Sequence, residues 1–173
     1  MLGYVCKYTP MELFEAMDTE ITRLEPSVTD FNHADTLMHA NICSYTKAVL
    51  EDVMEHDYEG VILTTCCDSI RRLYDTLKSQ FPDKFFFLLD IPRKFNDFAV
   101  ALYERQLKQM LTEYEAFSGK TLDLKRFVSM MQNKAALKKQ ENTRMSASAA
   151  SEKGNGQKLN IGIMGARCNN EIR

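Results

Sequence analysis

Apolar residues along this chain fall into short unbroken runs and longer helical stripes, and the two alternate. The runs are Leu2-Gly-Tyr-Val-Cys6, Ile21–Leu24, Val61–Leu63 and Phe85-Phe-Phe-Leu-Leu89, each of strand length. Between them lie stripes at helical spacing. Leu13, Phe14 and Met17 follow Pro10, with Thr9 as the expected cap. Thr46–Met54 turns Val49 and Val53 inward and Lys47, Glu51, Asp52 and Glu55 outward. Ile70, Leu73, Tyr74 and Leu77 share one face, as do Leu107, Met110, Leu111, Tyr114 and Phe117 within residues 95–117. Ser118-Gly119-Lys120 then stops that helix. Runs with no polar face are what a parallel sheet covered by helices on both sides produces. The pattern predicts an α/β fold, a Rossmann-like parallel sheet with flanking helices.

Beyond residue 118 the pattern changes. Leu122–Lys139 reads as a helix of rising polarity, and residues 141–157 turn to Ser, Ala, Asn, Gly and charge, the composition of a linker. Lys158-Leu-Asn-Ile-Gly-Ile-Met-Gly165 then reads as a new strand. The expected organisation is a domain over residues 1–118, a helical or flexible connector over 119–157, and the start of a second, incomplete Rossmann-like domain over 158–173. No internal repeat is visible.

Composition narrows the function. The 173 residues are 45% hydrophobic and carry a net charge of −2, so a core is expected and no charge excess argues for nucleic acid or an anionic membrane surface. No apolar run approaches the roughly 20 residues of a spanning helix, and the amino terminus lacks a basic region followed by an apolar one. A cytoplasmic protein is expected. In that compartment the five cysteines point to reduced, catalytic or metal-binding thiols rather than disulfides. There is no Cys-x-x-Cys, and His33, His39 and His56 form no ligand pair beside the cysteines, so a zinc finger is a poor reading.

Candidate chemistry collects where strands end. Cys66 and Cys67 lie between the Val61–Leu63 run and the helix after Asp68, at the carboxyl end of a strand, where open α/β sheets place their ligands. Asp68 or Ser69 is the expected cap, and a thiol at a helix start is expected to shift toward thiolate. Cys43 stands at a second helix start, with His39 nearby as a possible proton donor. Cys6 reads as a small buried residue of a strand. Asp90 and Arg93 follow the Phe85–Leu89 run and, with His39, are substrate-binding candidates, Arg93 or Lys94 pairing with a phosphate or carboxylate of a ligand. Without a zinc spacing, dispersed cysteines favour an iron–sulfur cluster. Gly162-x-x-Gly165 hints at a phosphate-approaching turn, without the full dinucleotide pattern.

Several motifs together resemble the 2-hydroxyacyl-CoA dehydratase family, in particular its D-component. They are Gly3-Tyr-Val-Cys-Lys-Tyr-Thr-Pro10 with Glu12 and Leu13, Asn41-Ile-Cys-Ser-Tyr-x-Lys-Ala48, Thr65-Cys-Cys-Asp-Ser-Ile-Arg-Arg-Leu-Tyr74 and Leu89-Asp-Ile-Pro-Arg-Lys94. Gly162-Ile-x-Gly-Ala-Arg-Cys-Asn-Asn-Glu171 resembles the start of the family's second domain. The resemblance implies a homo- or heterodimer and an anaerobic lyase chemistry. In it, a [4Fe-4S] cluster passes one electron to a 2-hydroxyacyl-CoA, a ketyl radical forms and water leaves. It further implies an ATP-hydrolysing activator, with its own iron–sulfur cluster, as electron donor. Carried over, the family's cluster cysteines match Cys43 and the Cys66–Cys67 site, with Cys168 as a further metal candidate.

Two other readings follow from the same residues. Relatives of this fold hold a double-cubane [8Fe-9S] cluster and reduce small molecules, and the paired Cys66 and Cys67 suit that reading too. The third is a cluster-free chain that binds a partner subunit.

Overall fold

The structure, a computed structural model, describes residues 1–151 other than Thr29 and Phe95, with side chains described as far as Leu137. In chain order the elements are β1 (Leu2–Tyr4), α1 (Met11–Ala16), β2 (Ile21–Arg23), α2 (Asn32–Leu37), α3 (Ser44–Glu55), β3 (Gly60–Thr64), α4 (Asp68–Gln80), β4 (Phe85–Leu89), α5 (Asp97–Ser118) and α6 (Leu124–Ser151). The four strands form one sheet in the order β2-β1-β3-β4, every pair parallel. This is the α/β, Rossmann-like sheet that the unbroken apolar runs predict.

Backbone contact divides the chain into residues 1–122 and 123–173. The sheet and the first five helices make up the first unit. β3 is buried at all five positions, as a central strand covered on both faces must be. On one face α2, α3 and α4 bury Ala34, Val49, Leu50, Val53, Ile70, Leu73 and Leu77 against Val61, Leu63 and Phe86. On the other, α1 and α5 meet around Tyr114, which lies 5.1 Å from the Phe14 ring and 5.0 Å from the Phe85 ring, both edge-on, the arrangement aromatic quadrupoles favour. Strand order reverses at β1, which pairs with β2 on one side and β3 on the other. The crevice at the carboxyl ends of β1 and β3 is therefore the switch point, where such sheets bind ligands.

Two glycines are required by geometry. A Cβ on Gly60 would stand 1.9 Å from the Phe85 carbonyl oxygen, so β3 and β4 can pair closely only with glycine there. Gly119 has φ +70° and caps α5 in the left-handed conformation.

Three local expectations are corrected. Glu51 and Asp52 point inward, 2% and 9% exposed. Glu51 accepts the Ala34 N–H and pairs with His33, both at 2.7 Å, while Asp52 accepts the Tyr58 hydroxyl at 3.0 Å. Supplied with these partners, the carboxylates can leave solvent. Thr9 does not cap α1; Pro10 holds that position and the Thr9 hydroxyl is buried without a hydrogen-bond partner among the described residues. Neither Asp68 nor Ser69 caps α4, whose first flanking residue is Cys67.

Of the second unit the structure describes α6, which runs through residues 141–151, where composition suggests a linker. The strand expected over 158–165 and Cys168 lie outside the described residues. No helix among the described residues is long and apolar enough to cross a membrane.

Candidate functional site

The carboxyl ends of the strands gather the chemistry. After β1 come Val5 and Cys6; after β3, Thr65, Cys66 and Cys67; after β4, Asp90 to Lys94. Parallel pairing sets Tyr4 opposite Ile62, and the Val5 N–H continues the ladder to the Ile62 carbonyl at 3.3 Å. Cys6, 60 positions from Cys66 in sequence, is thereby delivered to the same end of the crevice. None of Cys6, Cys43, Cys66 and Cys67 is in a disulfide.

The turn that carries the thiol pair is tightly made. Thr65 N–H donates to the Leu89 carbonyl at 3.0 Å, and Cys66 N–H folds back on the Thr64 carbonyl at 2.7 Å, a three-residue turn centred on Thr65. Cys67 is then extended (φ −158°, ψ 168°) and flanks α4. Cys66 and Cys67 both reach solvent.

The thiol of Cys66 is not pushed toward thiolate. Burial against the strand end pushes its pKa up, a contact with the Thr64 side chain opposes the rise, and the neighbouring thiols of Cys67 and Cys6 add to it. The side chain keeps one open side while protein mass beneath it removes water from the other. The helix-start expectation fails because the flanking position of α4 belongs to Cys67; Cys66 sits one residue farther out, and desolvation of an anion outweighs the residual helix field. Thr64 is fully buried and its hydroxyl has no hydrogen bond of ordinary geometry among the described residues.

The remaining candidates divide. Cys43 flanks α3, its Sγ 3.1 Å from the Thr46 hydroxyl. Because α3 feeds β3 it runs from the carboxyl edge of the sheet to the amino edge, so its start belongs to the same edge as the thiol pair. His39 is exposed and accepts the Asn41 N–H on Nδ1 at 3.2 Å, which leaves Nε2 to carry its proton. It lines a hollow of about 240 Å³ with Arg72, Asp75 and Thr76. Asp90 accepts the Thr65 hydroxyl at 2.5 Å. Arg93 is exposed and engages no partner among the described residues.

Cys6, and Tyr103 beyond it, escaped the sequence reading as site residues. Cys6, half-buried, acts on both the Cys66 thiol and the Tyr103 phenol, whose pKa is raised by burial first and by Cys6 next. Tyr103 reaches from α5 to the Tyr8 carbonyl at 3.3 Å, crossing to the loop after β1. The parallel pairing of β1 with β3 is the signal that could have announced Cys6.

Among the described residues no three or more His, Cys, Asp or Glu side chains converge on a point where a single metal ion could be held. The chain matches the family model of the 2-hydroxyglutaryl-CoA dehydratase D-component over residues 6–162. It belongs to that family. No curated protein matches it. As a D-component family member, it carries the thiol pair and Cys6 within or at the edge of the matched span, in an α/β domain of the expected class.

Proposed function

We propose that this chain is the iron–sulfur part of a 2-hydroxyacyl-CoA dehydratase-like enzyme, with Cys66 and Cys67 as its central ligands and Cys43 as a third. The observation that carries the reading is the pair of solvent-reaching thiols at the carboxyl end of β3, beside Cys6 at the end of β1. The donor chemistry fits: thiolates are the ligands of iron–sulfur clusters, and in a cubane each binds a different iron. Ligand thiols of a cluster therefore need not meet at one point, as those of a single ion must. Cys168 is a further ligand candidate in the same reading.

Bound there, the cluster would supply one-electron reduction of a 2-hydroxyacyl-CoA, with an ATP-dependent activator as electron source. The chain's own residues shape its surroundings. The turn at Thr65 fixes where the pair projects, and β1 supplies the wall that carries Cys6. Arg93, exposed at the same sheet edge, suits an anionic group of the substrate.

The test is iron and acid-labile sulfide per chain after reconstitution without oxygen. About four of each supports the reading; about eight would instead support a double-cubane centre. Essentially none would overturn it and favour a partner-binding role. Cys43→Ser should lose most of the iron, whereas Cys6→Ser should keep it; unchanged iron in Cys43→Ser removes Cys43 from the ligand set.

A further inference from the structure

The last rung of the β3–β4 ladder pairs Thr64 with Leu89. Beyond it the two chains would be free to separate, yet three contacts hold them. Thr65 N–H donates to the Leu89 carbonyl at 3.0 Å. The Thr65 hydroxyl donates to Asp90 Oδ1 at 2.5 Å and accepts the Ile91 N–H at 3.4 Å. One side chain, at the centre of the turn that delivers Cys66, thus engages two consecutive residues of the β4 loop. Ile91 precedes Pro92, so its backbone is restricted to extended conformations, and Pro92 offers no N–H of its own. The clamp therefore grips a stiff piece of chain.

We propose that Thr65 and Asp90 are positioning residues: together they fix the Cys66–Cys67 pair against the β4 loop. Asp90 then serves the thiol turn rather than binding substrate as its main task. The geometry requires both partners. Without the hydroxyl, Asp90 and Ile91 lose their tie to the turn; without the carboxylate, the hydroxyl loses its strong acceptor. The Cys66 N–H bond to Thr64 is the part of the turn whose persistence depends on how Thr65 is held, although neither clamp side chain takes part in it.

The inference deepens the reading of Cys66 and Cys67 as ligands, but its test uses the metal-free full chain, so the two can fail separately. Amide hydrogen exchange at Cys66 is measured together with alkylation by iodoacetamide. Cleavage after Lys47 and Arg71 places Cys43 and the Cys66–Cys67 pair on different peptides. Thr65→Val and Asp90→Ala should each speed exchange at Cys66 about tenfold, the loss of one net hydrogen bond. Their combination should add little, because the two act as one unit. Thr65→Ser keeps the hydroxyl and should restore the wild-type rate. Alkylation should accelerate on the pair's peptide and stay constant at Cys43. Unchanged exchange at Cys66 in both single variants overturns the proposal. So does equal acceleration at Cys43, which would mean general loosening, or a serine variant that behaves like valine.

Discussion

Glu51 offers a sharp perturbation because a nearly sealed carboxylate holds two helices together. Its side chain is 3% exposed and its two oxygens face different partners, His33 Nδ1 and the Ala34 N–H, each at 2.7 Å. Ala34 is itself fully buried, so no water can replace the lost acceptor. Glu51→Ala would leave an orphaned buried N–H, costing about 1–3 kcal/mol. It would also remove a charge-assisted bond to a half-exposed histidine, of which water returns a good part, and open a small void. Relief from burying a carboxylate offsets some of this, leaving a net loss of about 3 kcal/mol. Glu51→Gln keeps an oxygen toward Ala34 and should cost about 1 kcal/mol. Urea unfolding of the two variants measures the difference. A second readout is local: α2 leads into Met38–Cys43, so the alanine variant should raise the alkylation rate of Cys43 more than that of the Cys66–Cys67 pair. If alanine and glutamine prove equally stable, the Ala34 bond is not what holds α2, and the reasoning is refuted.

Gly60→Ala should cost at least about 3 kcal/mol, since the new Cβ meets Phe85 backbone atoms at 1.9 and 2.7 Å and the strands cannot part cheaply; a chemical melt near wild-type stability would contradict the close approach. Gly119→Ala should cost about 1 kcal/mol through its positive φ alone, because nothing surrounds the position, and calorimetry would read the lowered melting temperature. Tyr58 and Tyr114 are both pushed up from 10.0 to about 12, by burial first and, on the raising side, by bonds to Asp52 and Glu59 next. Their folded values exceed the unfolded one, so the stability they contribute is complete below about pH 10 and is lost as pH rises toward 12. Tyrosinate absorbance should show these two ionising late and together with unfolding, and early ionisation of all seven tyrosines in a folded chain would refute this. Tyr114→Phe, which keeps the ring stack but removes the bonds to Glu59 and Thr19, should lower stability by about 1–2 kcal/mol in urea unfolding and flatten the alkaline loss.

The parallel sheet was legible because its strands are apolar on both faces: Phe85–Leu89 leaves no position for a polar side, and only a two-sided cover accommodates that. Helix α2 was not legible. Asn32-His-Ala-Asp-Thr-Leu37 has no apolar stripe, and what holds its first turn is a carboxylate 17 residues away. The outward placement of Glu51 and Asp52 failed for the same reason. Charge predicts exposure only until a partner is supplied, and these partners, His33, Ala34 and Tyr58, come from other segments.

At the site, the split between legible and hidden follows sequence distance. Cys66 and Cys67 stood out because strand end, turn and helix start are consecutive in the chain. The direction of the Cys66 pKa did not follow from that local context, because it is set first by burial, with Cys67 adding to the rise and Cys6, which arrives through the pairing of β1 with β3, adding least. Thr65 and Asp90 meet across 25 positions for a similar reason, one strand farther along. The two cases share a cause: parallel strands bring together residues that follow their carboxyl ends, whatever lies between them in sequence. Once the order β2-β1-β3-β4 is known, the residues after β1, β3 and β4 become neighbours as a set. A strand-end cysteine such as Cys6 should then be weighed with the thiols of the next strand rather than as an isolated core residue.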